Sequence, residues 1–263
     1  MSTQVDQQPY DSAVRTEVDG PVATVTLARP EQLNAQTPHT WQGLVEAGAT
    51  LPADVRVVVV RGEGRAFSAG LDKAMFTGGV PGVPGLPQLA TMDPAHAESL
   101  IEGWQAGLDW LRRPDIVSVA AVQGHAIGAG FQLALACDIR VLTEDAQLCM
   151  AETTLGLVPD LTGSKALVDL VGPSRAMEIC LTGRRIGADE ASRIGLASLV
   201  VPTAGLDAAV DDLVAALLSP PRGAVTETKA LLVAAGGRTH AEQQAAERAA
   251  QVRRIAALAA GEG

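Results

Sequence analysis

Basic residues are scarce and scattered: 20 Lys and Arg stand against 30 Asp and Glu, for a formal net charge of -10 at pH 7. Binding a phosphate backbone needs clustered cations, so this distribution argues against a nucleic-acid partner. An anionic ligand would need help from backbone amides. Cysteine is also sparse, with Cys137, Cys149 and Cys180 inside apolar runs. That odd count suits reduced core thiols, and no His or Cys spacing suggests a metal. The N-terminal "MSTQVDQQPYDSAV" lacks a basic region followed by an apolar stretch, which predicts no signal peptide. No unbroken apolar run approaches the roughly 18 residues of a membrane helix. The expected compartment is the cytoplasm, with no membrane partner.

What is present is a chain of 263 residues, 47% hydrophobic, long enough to bury a sizeable core. "VATVTL" from Val22 alternates like a half-buried strand, and Pro30 breaks it before a helix around Pro38 to Thr50. "RVVVVRG" from Arg56 and "IVSVAAV" ending at Gly124 read as strands buried on both faces, and "DIRVLT" as a fourth strand. Phe76 to Asp93 is dense in Gly and Pro and predicts a mobile surface loop. Asp93 and Pro94 fit the start of a helix to about Arg113, and Thr239 with Glu242 fits a capping box for a final helix to about Ala260. Strands alternating with helices imply parallel βαβ units, followed by a helical C-terminal region. The expected division is an α/β core over residues 1–200 and a helical region over 201–263.

"RVVVVRGEGRAFSAGLD" and "IVSVAAVQGHAIGAGFQ" share one layout, a buried strand, a glycine turn and a helix. Ligands commonly bind at the carboxyl ends of parallel strands, where helix N-termini carry unpaired N–H groups. Gly128 and Gly130 give a G-x-G, but Leu133 replaces the third glycine of the dinucleotide fingerprint, and no P-loop follows. Ser68 lacks the G-x-S-x-G elbow of a hydrolase. From the glycines alone, tight packing of helix on strand is the better explanation.

"RPEQLNA", "GEGRAFSAGLD", "GHAIGAGFQLALACDIR" and "AETTLGLVPD" followed by "LTGSKALVDLVG" resemble, in order and spacing, the crotonase (enoyl-CoA hydratase/isomerase) superfamily. The likeness runs from about Val14 to Val201; the aromatic and basic C-terminal motif common in that family is not evident. The resemblance implies a spiral of ββα units that assembles as a homotrimer or dimer of trimers through its C-terminal helices and binds acyl-CoA. It implies an oxyanion hole from the N–H groups of Leu71 and Ala129. It also implies a CoA groove lined by Gln32, Leu33, Ala35, Ser68, Ala69, Gly70, Asp72 and Gly128. Coenzyme A is then part of the substrate, and no cofactor is expected.

By the same resemblance, the two glutamates of the family's hydratases correspond to Gln132 and Glu152, and Asp160 matches an aspartate of its dienoyl-CoA isomerases. A primary amide cannot exchange a proton near neutral pH, which argues against efficient two-glutamate hydration. Gln132 could equally be a satisfied polar core residue, Glu152 a surface residue at a strand end, and Asp160 a cap for a helix from Leu161. His125 falls in the scaffold, with Asp72, Asp138 and Arg140 as turn and ion-pair residues. The catalytic candidates are therefore Glu152, Asp160 and Gln132. The expected activity is double-bond isomerisation of unsaturated fatty acyl-CoA thioesters, with Glu152 as base. The alternatives are hydration by Glu152 alone and a non-catalytic acyl-CoA-binding protein.

Overall fold

The computed structural model describes residues 13–261; of the N-terminal stretch read for a signal peptide, all but Ala13 and Val14 lie outside them. In chain order the elements are β1 (Val14–Asp19), β2 (Val22–Leu27), α1 (Pro38–Ala49), β3 (Val57–Gly62), α2 (Leu86–Leu89), α3 (Pro94–Asp109), β4 (Val117–Val122) and β5 (His125–Ile127). Then follow α4 (Ala129–Ala136), β6 (Ile139–Thr143), β7 (Gln147–Cys149), α5 (Gly163–Val171), α6 (Pro173–Thr182) and β8 (Arg185–Gly187). The chain closes with α7 (Ala188–Arg193), β9 (Leu199–Val201), α8 (Leu206–Leu218), α9 (Arg222–Ala235) and α10 (His240–Ala259).

A six-stranded sheet has the order β1-β2-β3-β4-β6-β9, and a three-stranded one the order β5-β7-β8. Among the strands of the described residues, the β1–β2 and β7–β8 pairs are antiparallel and the others parallel. The chain alternates between the sheets: β4 lies in the large one, β5 in the small one, β6 in the large one and β7 in the small one. Earlier turns follow the same course, because Ser68 bridges Ala126 and Gln36 bridges Leu71, both in parallel. The fold is thus a coil whose turns each contribute a long strand and a short extended segment. This is the mixed α/β spiral the motifs implied.

The uninterrupted valines of β3 follow from burial on both faces. Val58 and Val60 join the main core with Phe67, Phe131 and Leu142. Val57 and Val59 join a second layer closed by Leu206 and Val210 of α8. The expected helices at α1, α3 and α10 form, and Thr239 and Glu242 make the reciprocal capping box. The Gly/Pro-rich stretch is not wholly irregular: Leu86–Leu89 form one helical turn, with Gln88 Oε1 accepting from the Gly85 N–H at 3.1 Å. Among the described residues Arg140 makes no ion pair; its guanidinium donates to the carbonyls of Ala134, Cys137, Asp138 and Leu196. Asp72 does pair, with Arg29 at 2.9 Å, and Asp138 with Lys229 at 2.7 Å. No helix among the described residues is long and apolar enough to cross a membrane.

Candidate active site

The glycine turns after β3 and after β5 meet. Ser68 donates its N–H to the His125 carbonyl at 2.8 Å and accepts from Ile127 N–H at 3.0 Å, which fixes the two turns in register. Gly70 follows at φ +88, so close to the next turn that a Cβ on it would stand 2.5 Å from the Ile127 oxygen and 3.7 Å from the Ala129 nitrogen. Gln36 takes up the flanking groups, donating to the Gly70 carbonyl at 2.7 Å and accepting from Asp72 N–H at 2.8 Å. The N–H of Leu71 therefore points away from Gln36 and has no partner among the described residues. Ala129 opens α4, where the first amides lack intrahelical acceptors, and its N–H is likewise unpartnered among the described residues. Gly128 makes this entry possible with φ +50, a conformation costly for any residue bearing a Cβ.

Both amides border a cavity of about 570 Å³ that also reaches Gln132, Glu152 and Asp160. Its remaining walls are almost wholly apolar, with Trp41 and Trp104 side by side, ring centroids 5.0 Å apart, and Leu86 and Leu89 from the helical turn α2. Trp41 is anchored by its indole N–H to Gln36 Oε1 at 2.8 Å.

Glu152 lies on a 3-10 turn after β7 and is 7% exposed, so it is no surface glutamate. Its Oε1 accepts from Gln132 Nε2 at 2.7 Å, and its Oε2 is buried without a partner among the described residues. Burial pushes its carboxyl above the usual range, opposed by the backbone and Gln132 hydrogen bonds, and the Asp160 charge pushes it further up. Burial likewise raises Asp160. No cation contributes to either shift. Two acids in an apolar chamber suit one acting as base while the other holds a proton.

Asp160 does not cap the next helix. The helix starts at Gly163 after Thr162, whose side chain makes no capping bond. The acceptor at this helix start is Gln132 Oε1, which receives Leu161 N–H at 2.8 Å and Gly163 N–H at 3.2 Å. Gln132 is thus a buried, hydrogen-bonded core amide that also faces the cavity.

Of the residues expected along a CoA groove, Ala69, Gly70 and Gly128 border the cavity. Gln32, Leu33 and Ala35 lie in the turn before α1, where the Leu33 carbonyl accepts Ala69 N–H at 2.8 Å. Ser68 is fully buried, its hydroxyl donating to the Asn34 carbonyl at 2.8 Å and accepting from Gly70 N–H at 3.2 Å. Sequence reasoning missed Trp41, Trp104 and Gln105, whose Nε2 holds the Asp160 carbonyl at 2.7 Å. The tryptophans had a usable signal, since the chain has only three. Gln105 had none.

The profile of the "Enoyl-CoA hydratase/isomerase" family matches residues 17–263. "Probable enoyl-CoA hydratase echA12" of Mycobacterium bovis is 42% identical over 184 residues, 69% of this chain and 62% of its own length. The chain therefore spans about three fifths of that relative. A candidate enoyl-CoA hydratase from Thermobifida fusca YX, solved in complex with CoA, is 52% identical with a TM-score of 0.90, covering 95% of each chain. The same protein in complex with acetoacetyl-CoA is 53% identical with a TM-score of 0.90, over 94% of this chain and 96% of the other. By a profile match over nearly its full length and a coil shared at more than half identity, the chain belongs to the enoyl-CoA hydratase/isomerase family of the crotonase superfamily.

Proposed function

We propose that the protein moves a carbon–carbon double bond in an unsaturated fatty acyl-CoA thioester through an enolate. The observation that carries this reading is Glu152, a buried carboxylate whose Oε2 has no partner among the described residues and which lines the cavity that the free amides of Leu71 and Ala129 also border. The thioester carbonyl accepts from these two N–H groups, each such donor being worth about 2.7 to 4 kcal/mol as charge develops on the oxygen. Glu152 Oε2 then takes the proton from the carbon next to the carbonyl, and the electron pair spreads over the enolate and the adjacent double bond. Return of a proton at the far end of that system, from Glu152 or from Asp160, completes the shift with no net gain or loss of atoms.

Gln32, Leu33, Ala35, Ser68, Ala69, Gly70, Asp72 and Gly128 are proposed to line the path of the CoA moiety. The bound CoA and acetoacetyl-CoA in the Thermobifida fusca relative support a CoA ester as ligand. Homotrimers or dimers of trimers are proposed through the last helices, where Leu232, Val233, Val252, Ile255 and Leu258 are exposed.

The second reading, hydration by Glu152 alone, is favoured by the hydratase names of the relatives. Incubation with 2-enoyl-, 3-enoyl- and dienoyl-CoA, with products separated by chromatography and weighed by mass spectrometry, decides among them. An isomer of unchanged mass supports the proposal, and a product heavier by one water supports hydration. Binding without turnover of any of the three supports an acyl-CoA-binding protein.

A further inference from the structure

We propose that Gln132 is the positioning residue of this site, one buried amide that orients Glu152 through its nitrogen and the Asp160 segment through its oxygen. The inference rests on the reading of Glu152 and Asp160 as the proton-transfer pair. Its geometry stands on its own.

The orientation of the amide is decided by its neighbours. Leu161 N–H and Gly163 N–H both donate to the same Gln132 atom, at 2.8 and 3.2 Å, so that atom is the acceptor Oε1. The donor Nε2 is left facing Glu152 Oε1 at 2.7 Å. A carboxylic-acid hydroxyl oxygen is a poorer acceptor than the carbonyl oxygen, so the Gln132 N–H on Oε1 favours protonation at Oε2, the atom buried without a partner among the described residues. Gln132 thus makes the glutamate a base with one working end.

The oxygen side of the amide does a second task. It takes the N–H of Leu161, the residue directly after Asp160, and so ties that acid's backbone to the side chain that holds Glu152. The surrounding chain is shaped to admit it. Thr162, the residue at the cap position of α5, leaves its hydroxyl buried and unpartnered among the described residues. Gly163 lacks the Cβ that would meet Gln132 Cγ at 2.6 Å.

A glutamate at position 132 would accept the same two N–H groups but present a second carboxylate oxygen to Glu152 Oε1. The pair could then coexist at such a distance only by sharing a proton. The titratable groups around Glu152 are Asp160 and the thiols of Cys149 and Cys180, with no Lys or Arg acting on it directly.

The test is the Q132E variant, with the isosteric Q132M as a second, and circular dichroism to confirm folding. The unliganded proteins are labelled with ¹³C at the Glu side-chain carboxyl and titrated by NMR; spectra of E152Q and of Q132E/E152Q identify the Glu152 signal. In Q132E and Q132M the Glu152 titration moves upward in pH. If the folded chain turns over a thioester, the acid limb of kcat/KM moves with it, and kcat at neutral pH falls about tenfold with KM little changed. A helix-capping role alone would leave the Glu152 titration in place in Q132M, which removes the amide donor without adding a charge, whereas Q132E moves it by its added carboxylate in either case. An unmoved Glu152 titration in folded Q132M overturns the proposal whatever the turnover. A moved titration in a chain that turns over none of the three thioesters upholds it and removes the catalytic reading it rests on.

Discussion

Gly70 lies so close to the Ile127 carbonyl that a Cβ on it would come within 2.5 Å of that backbone oxygen. The contact is between two turns of the coil, and the Leu71 amide begins one bond beyond it. Substitution by alanine must therefore push the turns apart, and it adds strain at φ +88. We expect Gly70→Ala to lower kcat/KM by roughly 10² to 10³, as for loss of one oxyanion donor. Steady-state kinetics beside a far-UV spectrum of the folded variant check this; activity within a few-fold of wild type would detach Leu71 from its assigned role.

Glu152→Gln should remove about 10²- to 10⁴-fold of turnover, the usual range for a positioned proton-transfer group, while calorimetric affinity for an acyl-CoA persists. The wild-type pH profile should fall on the acid side as Glu152 is protonated, with its midpoint above the usual carboxylate range because burial raises that group. In the variant that limb should be missing.

The same shift predicts a stability effect. A carboxyl raised in the folded state binds more protons there than in the unfolded chain. Stability is therefore lost as pH rises from the unfolded value through the raised one. Glu152→Gln should melt higher than wild type at neutral pH, and the difference should close in acid. Thermal denaturation at pH 4 and pH 8 measures it, and equal melting at both values would contradict the burial of the charge.

Asp160→Asn should leave folding intact, since its side chain caps no helix and its carbonyl stays with Gln105 Nε2 at 2.7 Å. Isomerase turnover should fall if Asp160 returns or holds the proton, because an amide cannot exchange one. An unchanged rate with dienoyl-CoA, the longer conjugated substrate, would remove Asp160 from the reaction.

Lys229 ties α9 to the body of the protein: its Nζ donates to Asp138 Oδ2 at 2.7 Å and to the Ile116 carbonyl at 2.8 Å, and it is only 7% exposed. Lys229→Met should cost on the order of 3 kcal/mol in urea denaturation by leaving Asp138 uncompensated. Adding Asp138→Asn should restore part of that loss, and a strictly additive double variant would show that the pair is not coupled.

What could be read in advance was local or periodic. The valines of β3 announce a strand covered on both sides, and Thr239 with Glu242 carries its capping pattern within four residues. By contrast, β1 exposes nearly all of its residues, and β5, β7 and β8 are three residues each, too short to show a period. Asp160 is a good cap type, and its local pattern offers a start of α5 at Leu161. The group that receives its N–H bonds lies 29 residues earlier, on Gln132. No local pattern encodes such a partner. Within α4 every residue is buried, so composition marked Gln132 as unusual without showing which neighbours satisfy it.

The coil also separates duties along the chain. Leu71 belongs to one circuit, Ala129 to the next and Glu152 to the one after, while Asp160 follows on the way to α5. On the proposed reading, grip on the carbonyl and choice of proton donor are therefore drawn from different windings. An exchange of side chain on a later winding would then redirect the outcome of the reaction while the earlier ones go on holding the same thioester.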